Sequence, residues 1–250
     1  MQMEGAIKYV SINMLASTIF LTAIGILYGI TGTLNMADLA IKINQVENEG
    51  LVSVTALLFL AGFGIKSAIF PMYFWLPSSY HTPPSAIAAI FGGLLTKMGV
   101  YALIRTFTLI FQPDDFIKTV FIVLAIMTLV TGGLGTINKK SVRRTISYLI
   151  VCHIGYLIIG LGLYTELAFV GVIFYLIQDV VVKSNLLMIT GILHKIRNTI
   201  DMTRLGGFGK DYPKISFIIA IAMFSLAGIP PLSGFWPKIS LIIASFELKH

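Results

Sequence analysis

Apolar residues run through this chain in long stretches separated by short polar ones. A helix needs about 20 residues to cross the hydrocarbon core of a bilayer. By that measure the pattern predicts seven spans, over residues 10–32, 51–76, 84–111, 116–137, 146–163, 167–193 and 215–246. Polar punctuation falls at 38–50, 77–83, 113–115, 138–144, 165–166 and 194–214. Three spans are not uniform inside. The second contains Gly62, Gly64, Lys66 and Pro71, which predicts a helix interrupted beside a charge. The seventh contains Gly228, Pro230, Pro231, Gly234 and Pro237 ahead of Lys238, a stronger break and again beside a lysine. Two Gly/Pro-interrupted spans at corresponding places in two halves point to an ion pathway, because irregular backbone survives at membrane depth only where it lines a cavity or is packed in protein. The sixth span carries Gln178, Asp179, Lys183, Ser184 and Asn185 and is too polar to face lipid all round.

Composition agrees with the pattern. Of 250 residues, 56% are hydrophobic and 12% charged, and the mean hydropathy is +0.89. A soluble domain carries about 25% charged residues, so this is an all-α integral membrane protein, read as a single transmembrane domain over 1–250. The net charge of +7 does not indicate nucleic-acid binding, because the basic residues mostly lie in two loops rather than on a folded soluble face. They orient the chain instead, since loops on the cytoplasmic side collect Lys and Arg. With the N-terminal end inside, Lys8, Lys139, Lys140, Arg143, Arg144, Lys195, Arg197, Arg204, Lys210 and Lys214 lie inside, against Lys42, Arg105, Lys118 and Lys249 outside. The run from Asn138 to Arg144 serves as a topology anchor that also meets anionic lipid heads. Cys152 reads as a small packing residue. His81, His153, His194 and His250 are too scattered for a metal cluster. Glu4 and Lys8 precede a full-length span, so no cleavable signal peptide is expected.

Four lysines fall within the apolar stretches: Lys66, Lys97, Lys183 and Lys238. On the mildest insertion scale each costs at least ~2.5 kcal/mol at the bilayer centre. A lysine there can exchange its proton, so its economical use is to carry protons or cations. Asp179 and Lys183 stand at i,i+4 and share a helix face, so the spacing predicts an ion pair, either part of the path or a structural clamp. His153 reads equally as a proton relay or a packing residue. His81, in the loop at the inner edge, reads as a relay feeding the path or as a turn cap. The Gly206–Lys210 loop lacks phosphate-loop spacing. No cofactor fingerprint, metal set or nucleophile–base pair is visible, so no cofactor and no metal are expected and the chain is not read as an enzyme.

These residues resemble a known family. The segment from Gly64 through Lys66, Pro71, Trp75, Pro77 and His81 to Ala86 is similar to the central signature of the proton-translocating antiporter-like membrane subunits. The stretches Leu94–Tyr101 and Leu226–Phe235 belong to the same signature. That superfamily includes the D and A subunits of the multisubunit Mrp-type sodium/proton antiporter and the proton-pumping subunits of complex I and membrane-bound hydrogenases. Glu4–Val10 leading to Gly32–Asp38, Phe70–Ser78, and Val182-Lys183 most resemble the Mrp D subunits. The resemblance implies a fourteen-helix bundle with two inverted five-helix repeats, each with one broken helix. It implies that Lys66 is the lysine of the first broken helix, Lys97 the connecting lysine, Lys183 the central lysine of the second half and Lys238 the charged residue of the second broken helix. Together these would line a hydrated axis in the membrane plane. Helices that in the family precede the first span, one bearing a glutamate partner for the first lysine, and the last one or two helices are expected to lie outside this chain. Many relatives carry histidine at the position of Gln178.

The expectation is therefore a cation/proton antiporter subunit in a bacterial or archaeal inner membrane, N-terminal end cytoplasmic, within a hetero-oligomeric complex, moving protons and sodium. The alternatives are a redox-driven pump subunit, in which electron transfer elsewhere drives the same lysines, and a truncated, inactive structural subunit.

Overall fold

The computed structural model describes residues 2–137 and 139–247, so Asn138, Lys249 and His250 lie outside the described residues. The described residues form α1 (Gln2–Thr31), α2 (Met36–Lys42), α3 (Glu49–Ser67), α4 (Trp75–Ser79), α5 (Ser85–Ile90), α6 (Thr96–Leu109), α7 (Asp115–Thr136), α8 (Val142–Leu163), α9 (Glu166–Arg197), α10 (Phe208–Asp211), α11 (Pro213–Ala227) and α12 (Phe235–Glu247). Six runs among them are long and apolar enough to cross a membrane, α5 and α6 counting as one. α8 is the most buried of these. Side-chain hydroxyls in the spans bond to carbonyls one turn back, as Thr22 does to Thr18 (2.9 Å) and Thr128 to Leu124 (2.6 Å), which lets them sit in hydrocarbon.

Helix starts follow the sequence. Asn35, Asn48, Asp114 and Thr165 each cap a following backbone N–H. The predicted boundaries fall short at several ends: α1 begins eight residues earlier than the hydropathy run, and α9 continues to Arg197. Amphipathic ends extend a helix beyond the slab that hydropathy detects.

The predicted breaks are present, and they share one backbone design. α3 ends in a left-handed Ala68, and the Ala68 and Ile69 N–H groups fold back on the Ile65 and Gly64 carbonyls. α11 ends in a left-handed Gly228, and Gly228 and Ile229 fold back on Ser225 and Phe224. Each break then reads Ile, one residue, a cis proline three positions past the left-handed residue, and a second proline six positions further on: Pro71 and Pro77, then Pro231 and Pro237. The seventh predicted span is thus not one helix. α11 has 15 residues and α12 has 13, each too short to cross alone.

The third predicted span is also interrupted, by a π-turn at Phe91–Leu95. Gly92 and Gly93 make it possible. A Cβ at Gly93 would lie 1.9 Å from Ser184 Oγ and 3.2 Å from the Val180 carbonyl, and one at Gly92 would lie 2.4 Å from Leu187. The bare backbone lets α9 press against the turn, as π-bulges at functional sites commonly do.

The loops sort to two ends of the bundle. Ser79 Oγ donates to the Gly5 carbonyl (3.0 Å). Arg143 donates to the Pro83 carbonyl (3.0 Å) and Thr190 (3.1 Å), and Val142 and Met202 pair with Ile200 and Lys140. The N-terminal end of α1 and the loops at 77–83, 139–144 and 198–212 therefore share one end, the arrangement that the basic-residue count requires.

Gly234 is the tightest point of the second break. A Cβ there would sit 1.7 Å from the Ser225 carbonyl oxygen, whereas one at Gly133 meets nothing within 4 Å. Gly234→Ala is expected to lower stability by at least ~1–3 kcal/mol in a thermal melt of the solubilised protein, with Gly133→Ala near neutral. Equal effects would contradict the break geometry.

Candidate functional site

The sequence places one carboxylate deep in the spans, and the structure gathers three groups around it. Asp179 projects from the middle of α9. Lys97, at the start of α6 just past the π-turn, puts Nζ 2.8 Å from Asp179 Oδ2. His153 on α8 puts Nδ1 2.9 Å from Asp179 Oδ1. Lys183 Nζ stands 4.0 Å from the same oxygen. Lys97, Asp179 and Lys183 are 1%, 1% and 0% exposed. The π-turn contributes directly, because the Gly92 carbonyl accepts a second hydrogen bond from Lys97 Nζ (3.0 Å).

The predicted i,i+4 ion pair is present, at 4.0 Å, but it is the looser contact of the carboxylate, and the closer partners come from α6 and α8. Lys183 Nζ has no hydrogen-bond partner among the described residues. Two ammonium groups thus compete for one carboxylate, and only one holds it at contact distance. An ionised carboxylate can only accept, so the proton of His153 sits on Nδ1 facing Asp179. The Tyr175 hydroxyl lies 2.8 Å from the same nitrogen, with its ring stacked on the imidazole at 5.5 Å. The sequence reading missed Tyr175, although it stands one turn before Asp179 on the same helix face.

The outer lysines lie at the two breaks. Lys66 occupies the last turn of α3, 5.8 Å from the Phe20 ring centroid, and opens on a cavity of ≈ 310 Å³ lined in part by Tyr9, Asn13, Trp75 and Gly99. The chain neighbours of Lys66 and Lys97, Ser67 and Thr96, are buried hydroxyls without hydrogen-bond partners among the described residues. Gly99 lets α6 close on this point, since a Cβ there would come within 2.5 Å of Ser67 Oγ. Lys238, on α12, reaches back to the end of α11 and donates to the Leu226 (2.9 Å) and Ala227 (3.0 Å) carbonyls, with the Tyr156 ring at 5.2 Å. The rings of Tyr156, His153 and Tyr175 are mutually in contact, at 5.5 to 6.2 Å, and connect Lys238 to Asp179. Contacts thus link the buried Asp179 cluster to half-buried Lys238 at the second break, and α6, which carries Lys97, packs on the first break, where Lys66 is half-buried.

His81 stands apart from this file, at the basic end. Its Nδ1 donates to the Pro77 carbonyl (2.9 Å), which leaves Nε2 to accept from Arg144 Nη2 (3.4 Å). It lines a cavity of ≈ 190 Å³ with Glu4, Lys139, Arg144 and Tyr148. Burial, with Arg144 and Arg143 nearby, holds its pKa below the ordinary histidine value. Among the described residues no group of three or more His, Cys, Asp or Glu is placed to hold a metal ion.

Over residues 1–250 the chain matches the family described as NADH:quinone oxidoreductase/Mrp antiporter, TM. It is 47% identical over 246 residues to the D subunit of the Na(+)/H(+) antiporter of Alkalihalophilus pseudofirmus, a match covering 98% of this chain and 50% of that protein. The same-named protein of Bacillus subtilis is 42% identical over 246 residues, again 98% of this chain and 50% of the relative. The structure of the Mrp complex from Dietzia sp. DQ12-45-1b superposes with a TM-score of 0.91 at 34% identity, covering 98% of this chain and 45% of the matched one. The chain therefore spans about half the length of the relatives it matches.

Two outcomes follow from the geometry. Asp179→Asn leaves two buried ammonium groups without their counter-charge, so it should cost ~3–5 kcal/mol in denaturant unfolding, and adding Lys97→Met should recover much of the loss; a neutral single variant would contradict the arrangement. A lowered histidine pKa means that the neutral form fits the folded loop, so the contribution of His81 is present above the ordinary value of ~6.5 and is lost as pH falls through the folded value. Hydrogen-exchange protection of residues 78–82, corrected for intrinsic rates, should drop on acidification, and His81→Gln should flatten the response; protection that rises on acidification would contradict it.

Proposed function

This chain belongs to the NADH:quinone oxidoreductase/Mrp antiporter family, and we propose that it is the proton-conducting part of a D-type subunit in a multisubunit sodium/proton antiporter. The observation that carries the reading is the polar file between the two helix breaks: Lys66, Lys97 with Asp179, Lys183 with His153, and Lys238. Each lysine is a place where a proton rests, with the hydroxyls of Ser67, Thr96 and Tyr175 as carriers between them. Asp179 couples the steps. Charge arriving on Lys183 draws the carboxylate away from Lys97, which then holds its own proton less firmly and passes it toward Lys66. The sites titrate as a coupled set rather than singly. The family likeness supplies the choice of sodium as the exchanged ion and of a hetero-oligomeric membrane complex as the setting. The basic end of the bundle, with His81, faces the cytoplasm by the excess of Lys and Arg in its loops.

The test uses everted vesicles from cells lacking their own sodium/proton antiporters and carrying the assembled complex. With an acid interior, added sodium should collapse the gradient without NADH or quinone. Lys66→Ala should assemble and abolish the response. Normal transport by assembled Lys66→Ala would remove the lysine file from the mechanism. A gradient that sodium leaves intact but NADH builds would assign the chain to a redox-driven pump.

A further inference from the structure

The two breaks share a backbone but not a lining. Position by position, Ile65, Tyr73 and Phe74 of the first become Ser225, Ser233 and Gly234 in the second. At the first break the Ile65 carbonyl, which already takes the fold-back N–H of Ala68, also accepts from the Trp75 indole N–H (3.0 Å), a neutral donor. At the second the freed Leu226 and Ala227 carbonyls hold an ammonium. At the same break, Ser225 Oγ lies 3.0 Å from Ser233 Oγ, and Gln178 reaches in from α9 to donate to Ser225 Oγ (3.2 Å). Gln178 is 6% exposed, and its amide oxygen has no partner among the described residues.

We propose that the α11–α12 break is a binding site for a small monovalent cation, built from the Leu226 and Ala227 carbonyls, the Ser225 and Ser233 hydroxyls and the Gln178 amide oxygen, with the Lys238 ammonium as its tethered occupant. The carbonyls at the end of a half-helix carry partial negative charge, and unwound segments of this kind coordinate alkali cations in transporters. All the ligands are neutral oxygens, which suits a single positive charge better than a double one. Among the described residues the charged side chains in electrostatic reach are Lys183 and Asp179, of opposite sign, with the His153 imidazole beside them, so with a neutral imidazole the site holds one net cation and exchanges one for another. Ser233 is exposed and Lys238 only half-buried, so the occupant can leave by swinging its four-carbon stem. The choice of sodium rests on the antiport reading above.

The measurement is equilibrium binding of radioactive sodium to the purified complex carrying this chain, at fixed pH. Lys238→Met removes a competitor held at high effective concentration, so the apparent sodium affinity should rise about tenfold or more. Lys238→Arg, which keeps a tethered cation, should bind as the unaltered protein does. Adding Ser225→Ala and Gln178→Leu to Lys238→Met should abolish the gain, and Ser225→Ala with Ser233→Ala in the otherwise unaltered chain should weaken binding. Unchanged sodium affinity in Lys238→Met, or a gain that survives loss of Ser225 and Gln178, would overturn the site and leave Lys238 as a helix cap. Either result leaves sodium-driven collapse of the vesicle gradient untouched, so this proposal and the antiport reading fail separately.

Discussion

A single carboxylate facing two ammonium groups inside an apolar bundle is the constraint on which the rest depends. Removing charges from water costs several kcal/mol per ion even after the protein relaxes. Asp179 offsets that cost for Lys97 at 2.8 Å and incompletely for Lys183 at 4.0 Å. The surrounding architecture serves this arrangement. The π-turn supplies the Gly92 carbonyl to Lys97, its two glycines admit α9, and α8, the most buried span, brings His153 to the free side of the carboxylate. One closely satisfied and one loosely satisfied cation therefore share a single carboxylate.

The breaks at either side are the second device. A broken helix frees carbonyls at membrane depth, and each break ends its first half with a left-handed residue and a fold-back pair of hydrogen bonds. What differs is the side chain that bonds the carbonyls at the break: the neutral indole of Trp75 at the first, and the ammonium of Lys238 at the second. Two copies of one backbone motif thus serve unlike roles through a few side chains.

Much of this was legible in the sequence, and the reasons are physical. The apolar length of a span and its cost of charge are properties of the chain alone, so the spans, the four lysines and Asp179 stood out. The proline–glycine clusters marked both breaks. The i,i+4 pairing of Asp179 with Lys183 was legible, but the closer partners from α6 and α8 were not, because that spacing reports which residues share a face and not what packs against it. The π-turn was hidden in an unbroken apolar run, with Gly92-Gly93 as its only trace. Tyr175, Ser67, Thr96 and Ser225 gave no separate signal, since a hydroxyl in a membrane helix is usually satisfied by its own backbone. The proton path itself, and the place of Lys66, Lys97, Lys183, Lys238, His153 and His81 on or beside it, remain proposals that the geometry supports.

The most direct test of the central claim is infrared difference spectroscopy of Asp179 in the assembled complex, its bands assigned by loss in Asp179→Asn, during sodium-driven turnover. The account predicts that the carboxylate stays ionised while its stretching bands shift, as it exchanges close contact between Lys97 and Lys183. Bands that stay fixed through turnover would make the cluster a static clamp and contradict the account.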